Sequence, residues 1–323
     1  MMPLGLSIAS HSGLPPDRIG EIAATAERAG FSSVFIAEGH GDALTLCYPV
    51  AAATSRVEVG TAIANAALRP PVLAAKTTEL LSRASGGRFI LGLGTGNPFM
   101  NGQFGLAPFA PLPMMEEYVA VVRAVLAGQP YEGALFNAGW VPLDVPRPEP
   151  VPPVYLAALG PRMLALAGRI ADGVLLNLMS PEQAGRAADM VRSAAAGAGR
   201  DPASVRVACV VHCCLSADAV TAEAAARAVV PRYVLHPAAP RLFGGDLDEV
   251  RRLTMAGDRA GAAARVPLPV AAEFVAYGDA DACRARVAEY AKAGIDLAVV
   301  FPVAAGAGWD YESVITTFAG VTP

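Results

Sequence analysis

Glu38 and His40 flank Gly39 at the end of an apolar run, and a carboxylate and an imidazole so placed can serve as acid and base. Similar polar clusters close other apolar runs: Ser10 and His11, Asn65 and Arg69, Thr95 to Asn97, Gly160 and Arg162, Asn177 and Ser180. Each has a bland alternative as a hydrogen-bonded residue at a strand end. In "AALGPRMLALAG", Gly160 brings the backbone close, Pro161 suits a first helical turn, and Arg162 adds charge where free N–H groups favour an anion. That stretch reads as a phosphate seat or as an ordinary strand-to-helix turn. The four histidines have no metal-ligand spacing; His212 reads as a core residue and His236 receives no role.

The stretch "RFILGLGTGNP" carries glycines at 92, 94 and 96 but does not match the dinucleotide pattern G-x-G-x-x-G, and Pro98 opens a loop where a helix should start. Its glycines either let a planar ring or phosphate chain lie against bare backbone or fit a crowded corner.

The elements that must position these residues alternate. "IAATAERAGFSSVFIAE" is an amphipathic helix, a glycine and an apolar strand; "VAEYAKAGIDLAVVFPV" repeats the plan, and "MLALAGRIADGVLLNLM" is a looser copy with Gly173 at the helix exit. The strands are continuously apolar, as in a parallel sheet covered on both faces. Strands are expected near 4–9, 33–38, 57–63, 89–94, 153–158, 173–178, 205–213 and 296–302. Helices are expected near 16–29, 42–54, 71–84, 113–127, 161–170, 181–198, 217–230 and 279–292. This pattern predicts a single-domain (β/α)₈ barrel, with a doubly wound open sheet as the alternative. Insertions fall after strands 4 and 7: about 99–113, 129–152 (a hairpin and a Pro-rich crossing) and 236–266 (a partly helical lid).

Composition sets the bounds. The 323 residues are 54% hydrophobic and 17% charged, with net charge −4 and no basic block, which argues for a large core and against nucleic acid. No run suits a membrane span or a signal peptide. Five cysteines without a C-x-x-C pair fit a reduced cytoplasmic protein, with Cys213 and Cys214 as core packing.

The stretches "AERAGFSSVFIAEGH", "VEVGTAIANAALRPPVLAAKTTELLSRASGGRFILGLGTGNP", "PVYLAALGPRMLALAGRIADGVLLN" and "YAKAGIDLAVVFPV" resemble the luciferase-like flavin-dependent superfamily, in particular its branch that uses the deazaflavin coenzyme F-420. The resemblance implies a barrel holding a flavin-type ring at the strand C-termini. It places Glu38 near the ring and a cis peptide at Ala62–Ile63 behind it. It sets Asn65, Gly94, Thr95, Gly96 and Asn97 beside the ring and its chain, and Gly160, Pro161, Arg162 and Asn177 around chain and phosphate. Two departures stand out: Glu38-Gly39-His40 replaces the Asp-His pair of many deazaflavin members, and Asn97 stands where some sugar-phosphate dehydrogenases have glutamate.

The expected activity is hydride transfer between coenzyme F-420 and a small, fairly hydrophobic substrate. Glu38, His40 and Asn97 are the catalytic candidates, and His11, Phe99 and Phe104 face the substrate. The alternatives are an FMN-dependent monooxygenase using reduced flavin and oxygen, and a cofactor-free binding subunit. The expected partners are a second copy in a homodimer and a separate flavin or deazaflavin reductase.

Overall fold

Helix, glycine, apolar strand is the repeat that builds the barrel in the computed structural model, which describes residues 2–139, 147–304 and 308–320. The strands are β1 Leu4–Ala9, β2 Ser33–Ala37, β3 Glu58–Thr61, β4 Phe89–Gly94, β5 Val154–Ala157, β6 Gly173–Asn177, β7 Arg206–Leu215 and β8 Leu297–Pro302. Each pairs in parallel with the next, and β8 pairs with β1, so the eight close into a ring. The chain is a (β/α)₈ barrel.

Around it lie α1 Pro16–Arg28, α2 Ala43–Ala53, α3 Pro71–Ala84, α4 Pro111–Leu126, α5 Pro161–Ile170, α6 Pro181–Gly197, α7 Ala280–Lys292 and α8 Tyr311–Phe318. Residues β1, β4 and β8 present to both faces are buried throughout, which is why these strands are apolar without alternation. Helix α1 turns Ile19, Ile22, Ala23 and Ala26 inward, and Gly30 follows at φ +96°, a conformation that glycine adopts without a Cβ clash. Leu6, Ile8, Phe35 and Ile36 are fully buried, each contributing about 1.5–3 kcal/mol.

Three expectations need correction. Strand β3 ends at Thr61; the peptide Ala62–Ile63 is cis, and Ala64–Asn65 then pairs with Leu93–Gly94. Gly173 is no helix cap: it begins β6, and its bare face is covered by the Tyr155 ring, which a Cβ would meet at 2.6 Å. A further short strand, Val275–Gly278, pairs with the end of β7 beyond the reach of β6. Four residues are too few for a periodic signal.

A fourth correction follows β4: where a loop is expected to open at Pro98, the chain forms the helix Pro98–Gln103 before α4. After α4 comes the antiparallel hairpin of Tyr131–Glu132 and Asn137–Ala138, its turn held by Glu117, which accepts from the N–H of Ala134, Leu135 and Phe136. The Pro-rich crossing expected after it falls partly on 140–146, outside the described residues. The 236–266 stretch is helical over Ala239–Phe243, Asp248–Met255 and Arg259–Arg265.

Candidate functional site at the barrel mouth

At the C-terminal ends of β2 and β3, Glu38 is held in a clamp. Its Oε2 accepts from Arg69 Nη1 at 3.0 Å and its Oε1 from Arg69 Nη2 at 2.5 Å, while the Asn65 backbone N–H donates to Oε2. The two side chains are only 5% and 11% exposed. Arg69 also donates to Asp42 at 2.9 Å. Burial alone would lower the Arg69 pKa; the hydrogen bonds and charges of Glu38 and Asp42 outweigh it and raise the pKa. Glu38, expected as an acid or base, has both oxygens committed. Its backbone N–H donates to Ile63 O at 3.2 Å, which ties it to the cis peptide, where Ala62 and Ile63 are half-buried.

Asn65 and the end of β4 form one network. Asn65 Oδ1 accepts from Ala67 N–H at 3.1 Å, Asn65 Nδ2 donates to Asn101 Oδ1 at 2.8 Å, and Asn101 Nδ2 donates to Thr95 O at 2.8 Å. Gly96 lies against it at φ +69°; a Cβ there would meet Asn65 Nδ2 at 2.4 Å and Asn101 Oδ1 at 2.7 Å. A Cβ on Gly92 would meet Thr61 O at 1.8 Å, and one on Gly94 would meet Ile63 Cγ1 at 2.9 Å. On the side where a Cβ would stand, these glycines are therefore packed against the chain's own atoms. Asn97 caps the helix Pro98–Gln103, its Oδ1 accepting from Phe99 N–H at 3.0 Å. Phe99 and Phe104, 45% and 42% exposed, form an apolar lip beside it.

At β5, Gly160 caps α5 without a side-chain hydrogen bond, leaving the first N–H groups free for an anion. Pro161 and Arg162 follow, both exposed. Arg241, from the helix Ala239–Phe243, donates to Leu159 O at 3.1 Å, and its Nη2 lies 3.0 Å from where a Gly160 Cβ would stand. The Arg241 guanidinium therefore lies against this helix end, an association that no spacing in the sequence could give, while Arg162 stands in the first turn of the helix.

Asn177, at the end of β6, turns to β7 rather than to α5. Its Oδ1 lies 3.0 Å from His212 Nε2, and its side chain also hydrogen-bonds Tyr233. The next residue, Leu178, is buried at φ +57°, rare for a non-glycine. His212 packs against Tyr233 and Phe301 with ring centroids 5.6 and 5.1 Å away. Burial and then Arg232 push its pKa down to about 3, so it is a neutral core histidine; it is hydrogen-bonded at Nε2, while its buried Nδ1 has no partner among the described residues.

On the opposite side, His11 follows β1 and lies over Gly39, with its ring edge-on to Trp309 at 5.5 Å. His40 is exposed and makes no hydrogen bond among the described residues. The structure thus joins Glu38, Asn65 and Arg69 in one cluster and His11 with Gly39 in another, and it places Gly160 to Arg162 apart at β5. Sequence reading missed Asn101, Tyr233, Arg241 and Trp309. Asn101 had a weak signal in the stretch "NPFMN"; the others had none. No group of three or more His, Cys, Asp or Glu is arranged for a metal among the described residues, and all five cysteines are buried and free. No described helix is long and apolar enough to cross a membrane.

Comparisons with known proteins agree with this architecture. The chain is 30% identical over 297 residues to a 5,10-methylenetetrahydromethanopterin reductase of Methanolobus tindarius, covering 87% of this chain and 89% of that protein. It is 31% identical, over 93% of its length and 94% of the relative's, to a Mycobacterium tuberculosis protein provisionally named a coenzyme F-420-dependent oxidoreductase. The coenzyme F-420-dependent tetrahydromethanopterin reductase from Methanopyrus kandleri superposes with a TM-score of 0.84 at 25% identity, covering 99% of this chain and 97% of that one. The model of the family described as luciferase-like monooxygenase matches residues 2–297, and the chain belongs to that family.

Proposed function

We propose that this chain is an oxidoreductase that uses coenzyme F-420 to move a hydride to or from a small, fairly hydrophobic substrate. The observation that carries this reading is the uncapped N-terminus of α5, with Arg162 in its first turn and Arg241 against it, an anion seat on the same rim as the half-buried Ile63. The donor set fits a ring with a phosphate-bearing tail: free N–H groups and guanidinium for the tail, an apolar Ala62–Ile63 platform for the ring. When bound, the deazaflavin supplies the hydride chemistry.

The chain's own residues supply placement. Gly160, Pro161, Arg162 and Arg241 hold the tail; Asn65, Thr95 and Asn97 border the ring; Glu38 fixes the β3 bulge through Asn65 and Arg69 rather than moving a proton. Asn177 supports the floor through His212. Phe99 and Phe104 shield an apolar substrate from water. The relative named for coenzyme F-420 at 31% identity and the solved reductase named for it at 25% identity, each matched over most of the chain, support this reading.

The second reading is an FMN-dependent monooxygenase supplied by a separate flavin reductase, favoured by the description of the matching family model. Spectral titration of the purified chain with each cofactor tests the choice. Micromolar binding of F-420, and no oxygen uptake with reduced FMN beyond the spontaneous oxidation of the free flavin, is expected. Protein-dependent oxygen uptake with reduced FMN, and no binding of F-420, would reverse the assignment. Binding of neither would leave the cofactor-free subunit.

A further inference from the structure

The His11 ring sits where a side chain at position 39 would begin. A Cβ on Gly39 would meet His11 Nδ1 at 2.4 Å, Cγ at 3.0 Å and Cβ at 3.3 Å. The loop after β1 is fastened over this gap. Ser10 Oγ accepts from Gly39 N–H at 2.7 Å, and Ser10 N–H donates to Ala37 O at 2.9 Å. A Cβ on Gly41 would meet Ser10 O at 2.7 Å, so the two loops touch through bare backbone.

Trp309 packs edge-on against the imidazole, and is itself stacked on Tyr311 at 6.0 Å and edge-on to Phe301 at 5.8 Å. Tyr311 closes the circuit by accepting from Ala9 N–H, just before His11, at 3.0 Å. The imidazole is therefore positioned by three elements: the ends of β1 and β2, and the segment leading into α8. His11 is nonetheless exposed at the mouth.

Its surroundings oppose protonation of the imidazole. Partial burial, then Arg232 and then His40, push its pKa below the ordinary histidine value. The nearby carboxylates are engaged elsewhere: Glu38 and Asp42 by Arg69, and Asp310 by the Ser313 N–H that it caps. By contrast, both oxygens of Glu38 accept hydrogen bonds, and His40 makes none among the described residues.

We propose that His11 is the acid–base residue of this mouth, in contact with the bound ring or its substrate, and that Gly39 is glycine to seat it. The proposal rests on the deazaflavin reading, and its test separates the two. Imidazole ¹⁵N resonances of the whole chain, assigned by their loss in His11→Ala, are followed during titration with oxidised coenzyme F-420 and, in parallel, with FMN. The cofactor's absorbance reports binding in the same samples.

In the free protein His11 should titrate below 6.5, and its resonances should move with the same midpoint as the F-420 absorbance change. His212, held down at about 3, should stay neutral through the range where His11 titrates and should not respond to the cofactor. Gly39→Ala pushes the ring off its seat, so His11 should titrate nearer 6.5 and lose its response. In His11→Ala/Gly39→His an imidazole returns to nearly the same space, and both properties should return. If Gly39→Ala does not fold, the wild-type titration decides alone. Binding of F-420 with unmoved His11 resonances overturns the proposal and leaves the deazaflavin reading standing, whereas binding of FMN alone overturns the deazaflavin reading on which it rests. Binding of neither overturns both.

Discussion

Arg69 grips Glu38 with two hydrogen bonds, Nη1 to Oε2 at 3.0 Å and Nη2 to Oε1 at 2.5 Å, and so joins the end of β2 to the turn after β3. This paired geometry converts the most conspicuous acidic residue of the mouth into a brace. Removing one partner leaves a buried charge without compensation. Arg69→Met is expected to cost about 3–5 kcal/mol in urea unfolding, and Glu38→Gln less, since the amide oxygen still accepts from Asn65. A loss below about 1 kcal/mol for Arg69→Met would show that the pair is not a brace.

Gly96 and Gly102 offer an internal contrast. Gly96 combines φ +69° with contacts that a Cβ would make at 2.4 and 2.7 Å, whereas Gly102 lies in a helix with nothing within 4 Å. Gly96→Ala should destabilise by more than about 1 kcal/mol. Gly102→Ala should be neutral or stabilise by up to about 1 kcal/mol. Thermal unfolding of the two variants side by side checks the order.

Arg241 should matter for an anionic tail. Arg241→Ala removes one charged donor beside the free N-terminus of α5, a loss of about 1.5–3 kcal/mol, or roughly 10- to 100-fold weaker binding. Titration of F-420 at two ionic strengths provides the measurement. Unchanged affinity in both Arg241→Ala and Arg162→Ala would remove the seat from the site.

Two groups give the fold an acid limit. Burial would raise the Glu27 pKa, but N–H groups of Val57, Arg56 and Ser55 outweigh it and hold it at about 2. His212 is held at about 3 by burial and Arg232. Both folded values are depressed. The His212 contribution is therefore present above about 6.5 and is lost as pH falls towards 3; that of Glu27 is present above about 4.5 and is lost towards 2. Unfolding free energy should decline below pH 6.5, and Glu27→Gln should flatten the part below pH 4.5. A flat curve between 6.5 and 4.5 would contradict a neutral buried His212.

Tyr48 on α2 and Leu73 and Leu80 on α3 are 54%, 54% and 56% exposed, and we propose this apolar surface as the seam of the homodimer expected from the sequence. Light scattering should give twice 33.1 kDa for the chain, and Leu73→Glu/Leu80→Glu should shift it towards the monomer. A monomer at every concentration would discard the pairing.

The sequence by itself determined the barrel. Apolar runs without alternation can be buried only between layers, and Gly30 and Gly294, at φ +96° and +82°, mark helix ends where the local pattern places them. These are short-range consequences of backbone sterics and periodicity. The rim could also be read, because strand ends are local: Ser10, Glu38, Asn65, Asn97, Gly160 and Asn177 all stand there. What each rim residue does was decided only by the tertiary structure. Glu38 became a brace because Arg69 closes on it, Asn177 turned to His212, and Gly92 to Gly96 proved to be contact points for Thr61, Ile63, Asn65 and Asn101. Arg241 reached Leu159 across 82 positions, and His11 came to rest on Gly39. Such pairings depend on which strands become neighbours once the ring closes, and one strand's composition does not encode the side chains that its neighbour will present.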